Sequence, residues 1–285
     1  GEYIKKMNMD IINTIIKQAL QEDIGRQDIT TYNLLPAEQQ ARGVLVAKAA
    51  GIIAGTWICQ AVFRHLDPEV RSQIFVADGQ RVESGQLIAE FSGKTAALLG
   101  GERVALNLLQ RLSGIATRTR RMVEKISGYR AQIVDTRKTS PGLRELEKYA
   151  VRVGGGRNHR FGLYDGVMIK DNHIVAAGGI LPAVQALRRA VPITVKIEVE
   201  VRTLEQLEEA LQAGADIIML DNMDTPAMQK AVELVAGRAL VEASGGITEE
   251  RLEEVAATGV DFISVGALTH SIQSLDISFD LVEVY

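Results

Sequence analysis

The chain has 285 residues, is 46% hydrophobic and 24% charged, and carries a formal charge of -4. These values are ordinary for a globular protein, allow one large or two ordinary domains, and argue against a general nucleic-acid binder, whose footprint is basic. The single cysteine, Cys59, excludes an internal disulfide; its apolar neighbourhood beside Trp57 reads as an inert core thiol in a reducing compartment.

No secretory leader is expected. Lys5 and Lys6 precede an apolar run, but Asp10 and Asn13 interrupt it and no small-residue cleavage site follows. Ile11, Ile12, Ile15, Ile16 and Ala19 instead mark one face of a helix over 10–21. No window reaches the apolar length of a membrane span, and Asp23 to Pro36 reads as a loop.

Residues 41–92 are strand-like, with typical β runs at Gly43–Ala47 and Gln86–Phe91 and one helix near 56–66. Ser92-Gly93-Lys94-Thr95 hints at a phosphate loop, but Ile88 stands where that loop needs its first glycine. Asp78 to Gly85 resembles a lipoyl-type hairpin without the lysine at its tip, and implies shared β architecture only. Residues 102–110 are helical by period, and Arg103 and Asn107 share a face.

From Gln132 the pattern becomes β/α. Strands are predicted at 132–135, 166–169, 194–199, 216–220, 239–242 and 261–265. Helices are predicted near 143–153, 181–190, 204–213, 226–236 and 249–257, with Gly214, Gly237 and Gly259 at helix stops. Such alternation implies a parallel sheet with helices outside.

Polar residues then fall at the strand ends. They are Asp135, Arg137 and Lys138; Lys170 and His173; Glu198 and Glu200; Asp221 and Asn222; Glu242, Ser244, Gly245 and Gly246; and Ser264 and Gly266. Parallel α/β barrels build their sites there. The stretch from Asp135 to His173 also holds eight Lys or Arg against five Asp or Glu, a local net of +3.

Arg137, Lys138, His159, Arg160 and Lys170 suit carboxylate or phosphate. Glu198 and Asp221 suit Mg²⁺ shared with substrate phosphates. Ser244-Gly245-Gly246, before a helix expected near Thr248, could cradle a phosphate on backbone N–H groups, and Gly266 could do the same. Together these imply an anionic phosphosugar with Mg²⁺ and a second anionic substrate. Bland alternatives stand beside them. Glu198 or Glu200 could pair with Lys196 or Arg202, Asp221-Asn222 could cap the helix at Thr225-Pro226, and Ser244-Gly245-Gly246 could be only a turn. No zinc motif and no nucleophile elbow is present.

Several segments resemble the quinolinate phosphoribosyltransferase family. They are Glu102-Arg103 with Leu106-Asn107, Ser113 to Thr117, Asp135 to Thr139 with Pro141-Gly142, Gly155 to Arg160, Lys170 to His173, Glu198-Val199-Glu200, Leu220-Asp221-Asn222, and Glu242 to Ile247. The match keeps its order along nearly the whole chain. It implies an α/β protein: an N-terminal α/β sandwich over 1–114, joined by the tail 267–285, and an open α/β barrel of fewer than eight parallel strands over 115–266.

The resemblance also implies a reaction. Quinolinate and 5-phosphoribosyl-1-pyrophosphate, with Mg²⁺, would give nicotinate mononucleotide, pyrophosphate and CO₂, a step of de novo NAD biosynthesis in the cytoplasm. Arg137, His159 and Arg160 would bind the two carboxylates, with Arg103 donated by the neighbour in a homodimer. Thr136 would also touch substrate. Lys138 and Lys170 would lie between quinolinate and the sugar. Glu198 and Asp221 would hold Mg²⁺ and the ribose hydroxyls, and Ser244, Gly245, Gly246 and Gly266 the 5-phosphate. Neither nucleic acid nor membrane is an expected partner.

Overall fold

A computed structural model describes residues 7–285; Lys5 and Lys6 lie outside them. The chain divides into two compact units. The first runs through Arg120 and adds Thr139–Gly155 and Leu268–Tyr285; the second is Arg121–Lys138 and Gly156–Ala267.

The first unit begins with α1 (Met9–Ile24) and α2 (Ile29–Leu34), then β1 (Gln40–Ala47), β2 (Gly51–Ile52), α3 (Thr56–Leu66), β3 (Arg71–Ile74), β4 (Arg81–Val82) and β5 (Leu87–Lys94). Next comes α4 (Thr95–Lys125), which carries the chain past Arg120. In α1, Ile12, Ile15, Ile16 and Leu20 are buried, the spacing of one helical face. α2 forms where a loop is predicted, because the Asp28 carboxylate caps it, accepting from the N–H groups of Thr30 and Thr31 at 3.0 Å each.

The remaining elements are β6 (Gln132–Val134), α5 (Arg144–Val153), β7 (Val167–Ile169), α6 (Asp171–Ala177), α7 (Ile180–Ala190), β8 (Ile197–Val201), α8 (Leu204–Ala213), β9 (Ile217–Asp221), α9 (Thr225–Val235), β10 (Leu240–Ser244), α10 (Leu252–Ala257), β11 (Phe262–Ser264), α11 (Ala267–His270) and β12 (Ile277–Val284).

In the first unit, β12, β1, β5 and β3 form an antiparallel sheet in that order, so the C-terminal strand returns to β1. Phe63 of α3 packs on Phe91 of β5 and Phe279 of β12, with ring centroids 4.8 and 5.5 Å away. A Cβ at Gly43 would lie 2.2 Å from the Phe279 ring, so only glycine lets this ring lie on β1. Residues 139–155 belong to this unit although the expected boundary at 114 assigns them to the barrel. Side-chain contacts hold them there. The fully buried Glu147 carboxylate meets Arg111 Nη2 at 2.8 Å, and Trp57 Nε1 donates to Tyr149 Oη at 2.9 Å.

The second unit is an open α/β barrel. Its parallel sheet runs β6-β11-β10-β9-β8-β7, and no strand pairing joins β6 to β7 among the described residues. Arg157 makes a short parallel bridge to Val134 instead. One face carries Val199, Val201, Ile218, Leu220, Val241, Ala243 and Ile263, all buried. The alternate face carries Glu198, Glu200, Met219, Asp221, Glu242 and Ser244, as the two-residue period of a strand requires. Among the described residues, no helix is long and apolar enough to cross a membrane.

Two barrel strands differ from their predicted bounds by more than one residue at an end. The β8 strand starts at Ile197, not Thr194, because Pro192 accepts a turn bond from Val195 at 3.0 Å. The β10 strand runs on to Ser244. Glu198 and Glu242 therefore lie within strands, not at their ends.

Candidate active site

The site residues belong to the barrel unit; Arg103, Asn107 and Cys59 belong to the first unit. Asp135, fully buried, follows β6 and fixes the next segment. Its carboxylate accepts from His159 N at 2.8 Å and from Asn158 Nδ2 at 2.6 Å. This places the His159 ring inside the barrel. Nε2 stands 3.0 Å from Glu198 Oε2 and 3.2 Å from Glu242 Oε2, while Nδ1 accepts from Arg160 N at 2.8 Å.

The other carboxylate oxygens, Glu198 Oε1 and Glu242 Oε1, are buried without a protein partner. They border a cavity of about 300 Å³ that also touches Arg157, Arg160, Ile217 and Phe262. Burial opposes charge on His159, but the two glutamates outweigh it and push the imidazole up to about 10. Burial pushes Glu198 up to about 7; His159 opposes that rise and Glu242 adds to it. A second ring proton at Nδ1 would face the Arg160 N–H. Geometry therefore favours keeping the extra proton shared with the Glu198 carboxyl.

Arg160 Nη1 donates to Gly166 O at 3.0 Å, and its Nε is buried without a partner. Burial, and then the nearby Arg137 cation, lower the proton affinity of Arg160. Two guanidiniums are thus held near one another, an arrangement that an anion would relieve. Arg137 and Lys138 are exposed, and Lys138 N donates to Thr136 Oγ1 at 3.0 Å, which folds this segment into a tight turn.

Acidic groups gather at the ends of β8 and β9. Lys170 Nζ lies 3.9 Å from Glu200 Oε2. Burial raises the Glu200 pKa, Asp221 adds to the rise and Lys170 opposes it. Asp221 Oδ2 accepts from Arg202 Nε at 3.1 Å, and Arg202 also reaches Asp171 at 3.4 Å. Glu198 is remote from this group. It pairs with Ile217, and Asp221 closes β9 four residues later, on the order of 13 Å along the strand. The structure therefore puts the two expected Mg²⁺ ligands, Glu198 and Asp221, into separate hydrogen-bonded groups. Glu200 is the carboxylate beside Asp221.

Ser244 is in register with Asp221. Gly245 and Gly246 follow with φ of 86° and 63°. The helix expected near Thr248 begins only at Leu252, so the turn's own N–H groups, not a helix dipole, are what this loop can offer a phosphate. Gly266 follows β11 and immediately precedes α11.

His173 has a local job: its Nδ1 accepts from Lys170 N at 3.0 Å and closes the start of α6. Asp224, not Asp221 or Asn222, caps α9 by accepting from Ala227 N at 2.8 Å. Arg103 is exposed on α4 of the first unit, one helical turn from exposed Asn107. Cys59 is fully buried and its thiol is pushed up by burial, as an inert core thiol should be. The sequence reading gave Glu242 a strand-end place and no partner; its bond to His159 is a tertiary contact that no local spacing announces.

Family models for the N-terminal and C-terminal domains of quinolinate phosphoribosyl transferase match residues 28–113 and 115–280. A probable nicotinate-nucleotide pyrophosphorylase (carboxylating) of Bacillus subtilis strain 168 is 51% identical over 275 residues, covering 96% of this chain and 95% of that one. The chloroplastic nicotinate-nucleotide pyrophosphorylase (carboxylating) of Arabidopsis thaliana is 43% identical, covering 95% and 82%. Among solved structures, the nicotinate-nucleotide pyrophosphorylase of Francisella tularensis superposes with a TM-score of 0.93 at 39% identity, covering 97% and 98%. NadC of Streptococcus pyogenes gives 0.93 at 44% identity, covering 98% of each chain. The chain belongs to the quinolinate phosphoribosyltransferase family and is a phosphoribosyltransferase enzyme.

Proposed function

We propose that the protein transfers the phosphoribosyl group of 5-phosphoribosyl-1-pyrophosphate to quinolinate and decarboxylates the product, giving nicotinate mononucleotide, pyrophosphate and CO₂. The observation that carries this reading is that the barrel unit presents two unlike features. Asp221, with Glu200 nearby, is in register with the Ser244-Gly245-Gly246 turn, while Arg137 and Arg160 are close enough to repel. The first pair suits a metal-bound phosphosugar and the second a dianionic acid.

The donor set fits Mg²⁺. Glu200 and Asp221 offer hard carboxylate oxygens, and Asp221 already attracts a cation, the Arg202 guanidinium. Glu200 takes the place expected of Glu198. When bound, the metal would supply positive charge against the pyrophosphate and orient the ribose hydroxyls.

The chain's own residues do the rest. Arg137, Arg160 and Thr136 hold the carboxylates, and His159, fixed by Asp135, orients Arg160. Lys138 and Lys170 face the charge that develops between the two substrates. Ser244, Gly245, Gly246 and Gly266 receive the 5-phosphate. The pyridine nitrogen attacks the anomeric carbon as pyrophosphate departs, and Glu200 stabilises positive charge on the sugar. Loss of the carboxylate beside the nitrogen as CO₂ leaves an electron pair on that carbon, stabilised by the adjacent cationic nitrogen, and a proton taken up there completes nicotinate mononucleotide. No covalent enzyme intermediate is needed, so catalysis is positioning and electrostatics.

The active assembly in this reading is a homodimer that donates Arg103 across its interface, acting in the cytoplasm in de novo NAD biosynthesis. A coupled assay of nicotinate mononucleotide formation tests the reaction. Product from quinolinate, phosphoribosyl pyrophosphate and Mg²⁺ supports it; preference for nicotinate, or no product, sinks it.

A further inference from the structure

We propose that Asn222 is a positioning residue that holds the phosphate turn and the metal carboxylate in one register. The inference rests on the functional reading above. Asn222 is exposed, yet three features fix it. Its backbone lies at φ 54°, a conformation that costs a side-chain-bearing residue energy unless something holds it. Its N–H donates to Ser244 O at 3.0 Å, tying the end of β9 to the end of β10. Its amide Nδ2 donates to Asp221 Oδ1 at 3.3 Å.

A third contact is steric. A Cβ built on Gly245 would stand 2.5 Å from Asn222 Oδ1 and 2.7 Å from Cγ. The Asn222 side chain therefore occupies the space that any residue other than glycine would need at 245. Gly245, with φ 86°, turns its backbone against that amide. One side chain thus touches both the carboxylate assigned to the metal and the turn assigned to the 5-phosphate. Asparagine suits the position, because it tolerates left-handed backbone and its amide can bond locally.

Asn222→Gly is the cleanest variant. It keeps the left-handed backbone and the N–H bond to Ser244, and removes only the side chain. The expected result is a rise of about tenfold in the KM for phosphoribosyl pyrophosphate, the size of one lost hydrogen bond. The KM for quinolinate and the melting temperature should stay near wild type. Calorimetric titration with ribose 5-phosphate should show the same weakening without any turnover. Gly245→Ala should weaken the same ligand, and Asn222→Gly should partly relieve Gly245→Ala, because it clears the space the methyl needs.

An unchanged ribose 5-phosphate affinity in Asn222→Gly overturns the proposal. So does a parallel rise in both KM values with a lowered melting temperature, which would mark general destabilisation. Wild-type protein that makes no nicotinate mononucleotide would sink the functional reading instead, and the ribose 5-phosphate titration would still decide the role of Asn222.

Discussion

His159 Nε2 stands 3.0 Å from Glu198 Oε2, and that carboxylate is almost fully buried inside the barrel. The contact joins the segment that carries Arg160 to the middle of the sheet. It also makes the barrel interior a proton-holding cluster, since His159 is pushed up to about 10 and Glu198 to about 7.

The sign of the resulting pH dependence follows from linkage. A group whose pKa is raised on folding binds more protons in the native state, so its stabilisation is present at low pH and fades as pH rises. Because His159 Nδ1 accepts the Arg160 N–H, the titrating proton is the one shared with Glu198, and its contribution should fade between the ordinary value of 4.5 and about 7. Thermal melts from pH 4.5 to pH 8 should show stability falling across this window, with the slope absent in Glu198→Gln. A melting temperature rising across the same window would refute this account.

Arg137 is the second point of test. It is exposed, and its charge lowers the proton affinity of Arg160. A charge-assisted contact contributes roughly 1.5–3 kcal/mol. Arg137→Ala should therefore cost on the order of ten- to a hundredfold in quinolinate KM or in turnover. Steady-state kinetics with unchanged values of both would remove Arg137 from the site.

Arg202 offers a test of the metal site that needs no turnover. Its guanidinium occupies Asp221 Oδ2 at 3.1 Å and reaches Asp171 as well. A divalent cation entering beside Asp221 must compete with that charge. Arg202→Gln should therefore tighten Mn²⁺ binding to the free protein by about three- to tenfold, given the modest strength of exposed ion pairs. Weaker Mn²⁺ binding in the variant would mean that Arg202 organises the carboxylates and does not compete for them.

Much of the barrel was legible in the sequence because its signals are local. Short apolar runs mark β9 and β10, strict alternation marks β8, and Gly214 lies where α8 stops, at φ 80°. Polar strand ends such as Asp221 and Ser244 follow from the same pattern. What stayed hidden depends on register and on distant chain segments. A shift of β8 by a few residues moved Glu198 from the mouth to the interior and left Glu200 beside Asp221. The bond from Glu242 to His159 spans 83 positions. Helix α2 was hidden because its stability comes from one cap, Asp28, and not from an apolar stripe. Segment 139–155 joined the first unit through Arg111 and Trp57, which no motif near residue 147 announces.

Arg103 is exposed on α4. If it completes the dicarboxylate clamp of a neighbouring copy, each site draws on two chains. An Arg103→Ala protein lacks the donated cation at every site, and a Lys138→Ala protein lacks the resident one. Each alone should be nearly inactive. A heterodimer of the two has one site with both lesions and one site with neither. Mixing the variants under conditions that exchange subunits should therefore restore activity, up to about half of wild type per heterodimer, as expected when only one of two independent sites is intact. Native mass spectrometry would confirm that heterodimers formed. Confirmed heterodimers with no recovered turnover would show that Arg103 serves its own chain or no site at all.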